Sequence, residues 1–225
     1  VALEHRQMTP VYAIQYAIRV LETVDRHGHG VTAAQLAREI DVPAGQLAQL
    51  LGSGTRQQAL TDKIRTVLTR LRDEVGAAVY FSRYDEGEVR IVDYADGPAA
   101  PKVNEWVDFR YAAHASAVGK CLLTQLDADG RREHVSRHKV ARLTSKTITN
   151  EDVLLNTLDS QPPTVPTLDL QEYAVGTVCA AVPVTVGSTV GCLAVSMPLD
   201  RAHRLKKAAD TLNKRSAPVL LSLAI

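Results

Sequence analysis

The residue types able to do chemistry are few and scattered. Ser116 stands in Ala-Ser-Ala-Val-Gly-Lys, loosely like a nucleophile elbow but without the first glycine of G-x-S-x-G, so it reads as a helix N-cap. His27 and His29 lie two apart in a glycine turn, and His114, His134 and His138 have no H-E-x-x-H relation. They read as surface or capping histidines, and no metal site is expected. Neither G-x-G-x-x-G nor G-x-x-x-x-G-K-[ST] occurs, so no cofactor loop is expected, and the expected catalytic set is empty. A cysteine-dependent hydrolase built on Cys179 is the alternative, but it needs a base at the thiol and only distant histidines are on offer.

A ligand pocket fits the same residues better. Asp169 and Glu172 precede an apolar strand holding Cys179, and the strand after it holds Cys192 and Ser196. Alternation puts Cys179 on one face with Ala181 and Pro183, and Cys192, Ala194 and Ser196 on another. An inward thiol and hydroxyl, with one carboxylate at the rim, suit a small polar pocket in an apolar frame. The alternative for both cysteines is core filler. Ser116 to Lys120 open a helix whose free backbone N–H groups can hold a carboxylate or other anion, unless they serve capping alone.

The elements that must position these residues follow from periodicity. Ile14, Ala17, Ile18 and Leu21 mark a first helix over 11–24, ended by the turn at His27-Gly28-His29-Gly30. Thr32 caps a second helix, 33–40, with Gln35 available for a capping interaction, and Pro43 opens a third that runs to about Leu51. This order matches a helix-turn-helix, in which the second helix braces the third against the major groove. Gly52-Ser53-Gly54 is the junction, and 55–74 is a long amphipathic helix ending at Gly76. Strands are expected at 77–82 and 89–94 around the turn Asp85-Glu86-Gly87, and at 177–186 and 190–197. Helices are expected at 116–126, 130–136, 151–158 (capped by Thr149 or Asn150) and from Arg201, with Pro218 kinking or ending the last one early. The sum is an α+β fold.

Composition narrows the classes. Hydrophobic residues make up 45% and charged ones 23%, the profile of an ordinary globular chain. The aromatics are sparse, so the core is expected to be mostly aliphatic. The apolar stretch 217–225 is too short to cross a bilayer, so no membrane partner is expected. Three cysteines without C-x-x-C spacing argue against a disulfide scaffold and for a cytoplasmic location. Net charge is +1, too neutral to advertise nucleic-acid binding by charge alone.

Four segments in order carry a resemblance. They are His114-Ala-Ser-Ala-Val-Gly-Lys-Cys-Leu-Leu123, Leu143-Thr-Ser-Lys-Thr-Ile-Thr149, Asp169-x-x-Glu172 with Val178-Cys-Ala-Ala-Val-Pro-Val184, and Gly191-Cys-Leu-Ala-Val-Ser196. Together they resemble the effector-binding domain of the IclR family of bacterial transcriptional regulators. Ala17-Ile-Arg-Val-Leu21, Val31-Thr-Ala-Ala-Gln-Leu-Ala37 and Val42-Pro43 are similar to that family's winged helix-turn-helix start.

The resemblance implies a DNA-binding domain over 1–51, a linker helix over 52–75 and a GAF-like α/β effector-binding domain over 76–225. It also implies operator double-stranded DNA, a small-molecule effector such as an organic acid or aromatic metabolite, and a homodimer or tetramer as partners, in a repressor or activator. By motif, Asp169, Cys179, Ser196 and the turn of Ala117, Val118 and Gly119 resemble pocket residues. Gly191 and Ala194 give the far wall few polar handles.

At the reading helix, Ala44, Gly45, Gln46, Leu47, Ala48 and Gln49 depart from the family's basic and hydroxyl residues. Gln46 and Gln49 can contact adenine edges, Leu47 reads as core, and phosphate contacts fall to Arg38 with Arg19 or Arg26. Thr32, Ala44 and Gly45 complete the expected DNA-facing set. Leu50 runs almost directly into Leu51-Gly52-Ser53-Gly54, so roughly 15–20 residues of the hairpin wing and reading helix that the resemblance implies are expected to be missing. Either the head is pruned or the natural protein is heavier than 24.4 kDa. A regulator without ligand control, a constitutive DNA-binding dimer, is the remaining alternative.

Overall fold

The structure, a computed structural model, describes residues 19, 22, 23, 26, 27, 32–41, 61–103, 107–186 and 189–224. The chain divides into two units, Val1–Ala59 and Leu60–Ile225, and each is taken by itself.

In the first unit, Arg19, Glu22, Thr23, Arg26 and His27 are helical; the other residues of the expected first helix lie outside the described residues. Helix α1 (Ala33–Glu39) carries the expected cap. The Thr32 side chain accepts from the Gln35 amide at 3.3 Å, and the Gln35 side chain accepts from the Thr32 amide at 3.1 Å. That reciprocal pair satisfies two of the donors a helix start leaves open. Glu39 at the helix end pairs with His27 at 2.7 Å. The expected third helix, with Ala44, Gly45, Gln46 and Gln49, lies outside the described residues.

The second unit is a five-stranded antiparallel sheet with helices on both faces. Helix α2 (residues 61–75) leads into β1 (Ala78–Asp85) and β2 (Glu88–Ala95). Helices α3 (Ala117–Thr124), α4 (Ala128–Arg137) and α5 (Glu151–Asp159) follow, then β3 (Thr167–Leu170), β4 (Thr177–Val186) and β5 (Thr189–Pro198). A 3-10 turn (Leu199–Arg204) enters the closing helix α6 (Leu205–Ala224). The strand order is β2-β1-β5-β4-β3. The β1–β2 turn falls where expected: Glu86 and Gly87 have φ of 51° and 81°, the left-handed pair that matches strand twist in a tight hairpin.

One face of the sheet is dry. Val178, Ala180, Val182 and Val184 of β4 and Leu193, Val195 and Met197 of β5 pack against Ile64, Leu68 and Leu71 of α2 and Leu205, Ala208, Ala209 and Leu212 of α6. Arg65 on α2 clamps Asp93 on β2 through two hydrogen bonds, one from Nε at 2.9 Å. The other face holds α3 and the segments around it, and its core includes Cys192, Ala194 and Ala181.

Several expectations give way here. Cys179 and Cys192 do not face apart: cross-strand register sets Cys179 opposite Ser196, Ala181 opposite Ala194 and Pro183 opposite Cys192, and opposed residues in an antiparallel pair share a face. β3 went unforeseen because four residues are too few to show a period. The closing helix is not ended by Pro218 but continues to Ala224. His114 and His134 are buried rather than superficial, because each ring has an internal partner: Ala141 O at 2.8 Å for His114 and Tyr84 Oη at 2.9 Å for His134. Asn150, not Thr149, caps α5.

Candidate functional site

On the α3 face a small cavity of about 20 Å³ lies between the first turn of α3 and strands β1, β3, β4 and β5. That is room for about one water, far below the roughly 300 to 1,000 Å³ of a ligand pocket, so a larger occupant must displace lining side chains. Alternation delivers the floor: Tyr80 opposes Ala194, Cys179 opposes Ser196, and Asp169 opposes Cys179.

Ser116 caps α3 by accepting from the Gly119 amide at 3.0 Å. Among the described residues the Ala117 and Val118 amides take no partner, as expected for the first turn of a helix, and both residues line the cavity. Gly119 does not line it. A Cβ there would lie 2.2 Å from Ala113 Cα and 2.3 Å from Ala113 O, so the glycine lets α3 approach the preceding turn and thereby aims the two free amides.

Asp169 sits inside the cavity wall, 2% exposed, and not at a rim. β3 turns Leu168 and Leu170 outward and Asp169 inward. Its Oδ1 accepts from the amides of Glu172 at 2.7 Å and Tyr173 at 3.2 Å. Burial nevertheless pushes its pKa up to about 6, against the pull of those amides and of Lys120. Burial, followed by the nearby Asp169 carboxylate, pushes the Cys179 thiol well up. Ser196 shares a hydrogen bond of 3.0 Å with Tyr80 Oη. Cys192 is fully buried core beside Cys121, and burial raises its thiol too.

Behind the wall, Lys120 Nζ donates to Glu172 Oε1 at 2.6 Å, with only 6% and 15% of the two side chains exposed. The Thr144 and Thr147 hydroxyls bond the Glu172 carbonyl at 3.3 and 2.7 Å. This network holds the end of β3 against α3, so the two polar walls are built as one piece.

Three aromatic residues also line the cavity: Tyr80, Phe109 and Tyr173. Phe109 and Tyr173 stack with centroids 4.9 Å apart and planes 8° from parallel. Sequence reading passed over all three. Tyr80 was within reach, since it shares the inward face of β1 with Ala78 and Ser82; Phe109 lies in a segment without any period. Thr32 and Arg38 belong to the first unit, where Thr32 is occupied as a cap and Arg38 is exposed on α1. Among the described residues no group of three His, Cys, Asp or Glu could hold a metal ion, and no helix is long and apolar enough to cross a membrane.

Comparison with known proteins gives this geometry a context. Residues 53–217 match the family described as bacterial transcriptional regulator IclR C-terminal. A p-hydroxybenzoate hydroxylase transcriptional activator from Acinetobacter baylyi is 37% identical over 86 residues, 37% of this chain and 32% of that relative. The match thus spans about a third of the relative's length. Among solved structures, the inducer-binding domain of the PobR transcription factor from Acinetobacter, a double mutant in complex with 3-hydroxybenzoic acid, aligns with a TM-score of 0.54 at 27% identity. It covers 67% of this chain and 95% of that one. An IclR homolog from Microbacterium hydrocarbonoxydans complexed with 4-hydroxybenzoate shares the fold, with a TM-score of 0.65 at 18% identity over 94% of this chain and 98% of that one.

Proposed function

The chain belongs to the IclR family of bacterial transcriptional regulators, and from that premise we propose that it is a cytoplasmic, DNA-binding regulator whose hold on operator DNA is changed by a small aromatic acid in the cavity beside α3. Residues 1–51 form the reading head, 52–75 the linker and 76–225 the sensor. The effector's carboxylate is received by the Ala117 and Val118 amides at the start of α3, where the helix dipole favours an anion. Its ring lies among the aromatic residues, with Asp169 and Cys179 as the polar handles and Ser196 lining the same space while bonded to Tyr80. The observation that carries this reading is the meeting of free helix-start amides, aromatic walls and buried polar side chains in one enclosed space. An Asp169 carboxyl pushed up to about 6 also tolerates a second acid nearby better than a strongly ionised one would. The hydroxybenzoates bound by related regulators support the choice of an aromatic acid.

At the head, Gln46 and Gln49 contact base edges, while Arg38, Thr32 and the backbone at Ala44 and Gly45 meet the phosphates. With four basic and five acidic residues over 1–51, one head binds weakly, so a homodimer or tetramer is the working form. Ligand uptake shifts how paired sensors sit, and the linker helix passes that shift to the heads, a coupling between two sites. A thiol raised by burial is a poor nucleophile, which weighs against a hydrolase built on Cys179.

A gel-shift with DNA from upstream of the protein's own gene tests the reading. Benzoate or 4-hydroxybenzoate is expected to change the shifted fraction, and replacing Gln46 and Gln49 together is expected to abolish the shift. A shift indifferent to both acids at millimolar concentration would favour the constitutive DNA-binding dimer, and one that survives the double replacement would remove the assigned reading helix.

A further inference from the structure

Tyr80 is 3% exposed on β1, beside the central strand β5, and it lines the cavity. Its phenol oxygen is held from two sides. The Val103 amide donates to it at 2.8 Å, and Ser196 Oγ shares a hydrogen bond with it at 3.0 Å. Val103 and Ser196 themselves line the cavity. A backbone N–H and a serine hydroxyl meeting at one phenol oxygen are what a pocket would use to read the hydroxyl of a hydroxylated aromatic ring. In this chain the protein supplies that phenol itself.

We infer that Tyr80 is a specificity-determining residue: its own hydroxyl fills the position where a ligand's ring hydroxyl would be read, so the cavity selects an aromatic carboxylic acid without a hydroxyl at that end. This deepens, and rests on, the aromatic-acid reading above. The physical consequence is directional. A ligand hydroxyl brought to that end finds the Val103 N–H already spent on Tyr80 and Ser196 already bonded to the same phenol, so it exchanges its hydration for at most a shared bond to the serine. Removal of the Tyr80 oxygen reverses the demand. Val103 N–H and Ser196 Oγ are then buried without their partner, and a ligand that brings a hydroxyl restores it, whereas one that lacks a hydroxyl leaves both unpaired.

Calorimetric titration of the whole chain with benzoate and with 4-hydroxybenzoate tests this, in wild type, Tyr80→Phe and Tyr80→Phe/Ser196→Ala. Wild type is expected to bind benzoate at least as tightly as 4-hydroxybenzoate. Tyr80→Phe is expected to shift the affinity ratio about tenfold toward 4-hydroxybenzoate, and the added Ser196→Ala to cancel much of that gain. Thermal melts of the ligand-free variants check that each is folded. Tighter binding of 4-hydroxybenzoate by wild type, or an unchanged ratio in a folded Tyr80→Phe, overturns the role given to Tyr80 while leaving the aromatic-acid reading in place. Failure of wild type to bind either acid overturns that reading, and this inference with it.

Discussion

Along β4 and β5, alternate residues meet opposite surroundings. Val178, Val182, Leu193 and Val195 point to α2 and α6, where they pack into one aliphatic cluster. Cys179, Ala181, Ala194 and Ser196, one step along in each case, point to α3, and between them a cavity remains. Branched aliphatics interdigitate, whereas small side chains opposite a helix start leave a gap. The gap is then lined by groups that tolerate burial poorly alone: a carboxyl, a thiol, the hydroxyls of two serines and two tyrosines, and free amides. One face is an aliphatic core, and the other keeps polar groups in its interior.

The comparison is broken most severely at Lys120. Its replacement by Met leaves Glu172 buried without its cation, and Glu172 Oε2 already has no hydrogen-bond partner. A loss of about 3–5 kcal/mol is expected, read by urea denaturation; a loss under about 1 kcal/mol would mean the pair is not needed to hold the wall. Leu193→Ala on the dry face comes next, at about 2–5 kcal/mol, since Leu193 is fully buried and its neighbours cannot collapse into the hole. The same assay on Ala194→Leu, one residue along, should show a smaller loss of about 1–2 kcal/mol, because the cavity takes part of the added volume and displaced neighbours must make the rest.

Charge sharpens the contrast. Asp169 has its pKa raised from 3.8 to about 6 in the folded chain. Its contribution to stability is therefore full below about pH 3.8 and is lost as pH rises through about 6, amounting to up to about 3 kcal/mol. Asp169→Asn should raise stability at pH 8 relative to wild type, with the advantage shrinking toward pH 4. At the far end of the unit, burial pushes His134 down to about 4 from 6.5. Its contribution has the opposite sense: full above about pH 6.5 and lost as pH falls through about 4. His134→Gln should thus lessen the acid sensitivity of the fold. Melting temperatures of both variants across pH 4 to 8 would display the two slopes, and parallel curves for either variant and wild type would refute that group's assignment.

Much of this was legible in the residues, and what was not has physical causes. The Thr32–Gln35 cap, the Ser116 cap, the Glu86-Gly87 turn and the long apolar strands are local patterns, fixed by neighbours in the chain. Asp169, Cys179 and Ser196 were found by motif, and they do meet at one cavity. Register is not local, so the common facing of Cys179 and Ser196 required the pairing of β4 with β5. Burial of Asp169 followed from β3, too short to show alternation by eye. Tyr80 on β1 and Tyr173 after β3 are far apart in sequence, and only the assembled sheet brings both to the cavity. The glycine at 119 was read as part of the site, whereas its work is one layer back, against Ala113.

The most direct test of the sensor cavity is a calorimetric titration of benzoate into wild type and Ala194→Leu, side by side. Saturable binding by wild type, and none by a variant that melts within a few degrees of it, is the predicted result. Equal binding by both would place the effector elsewhere and contradict the assignment of this cavity.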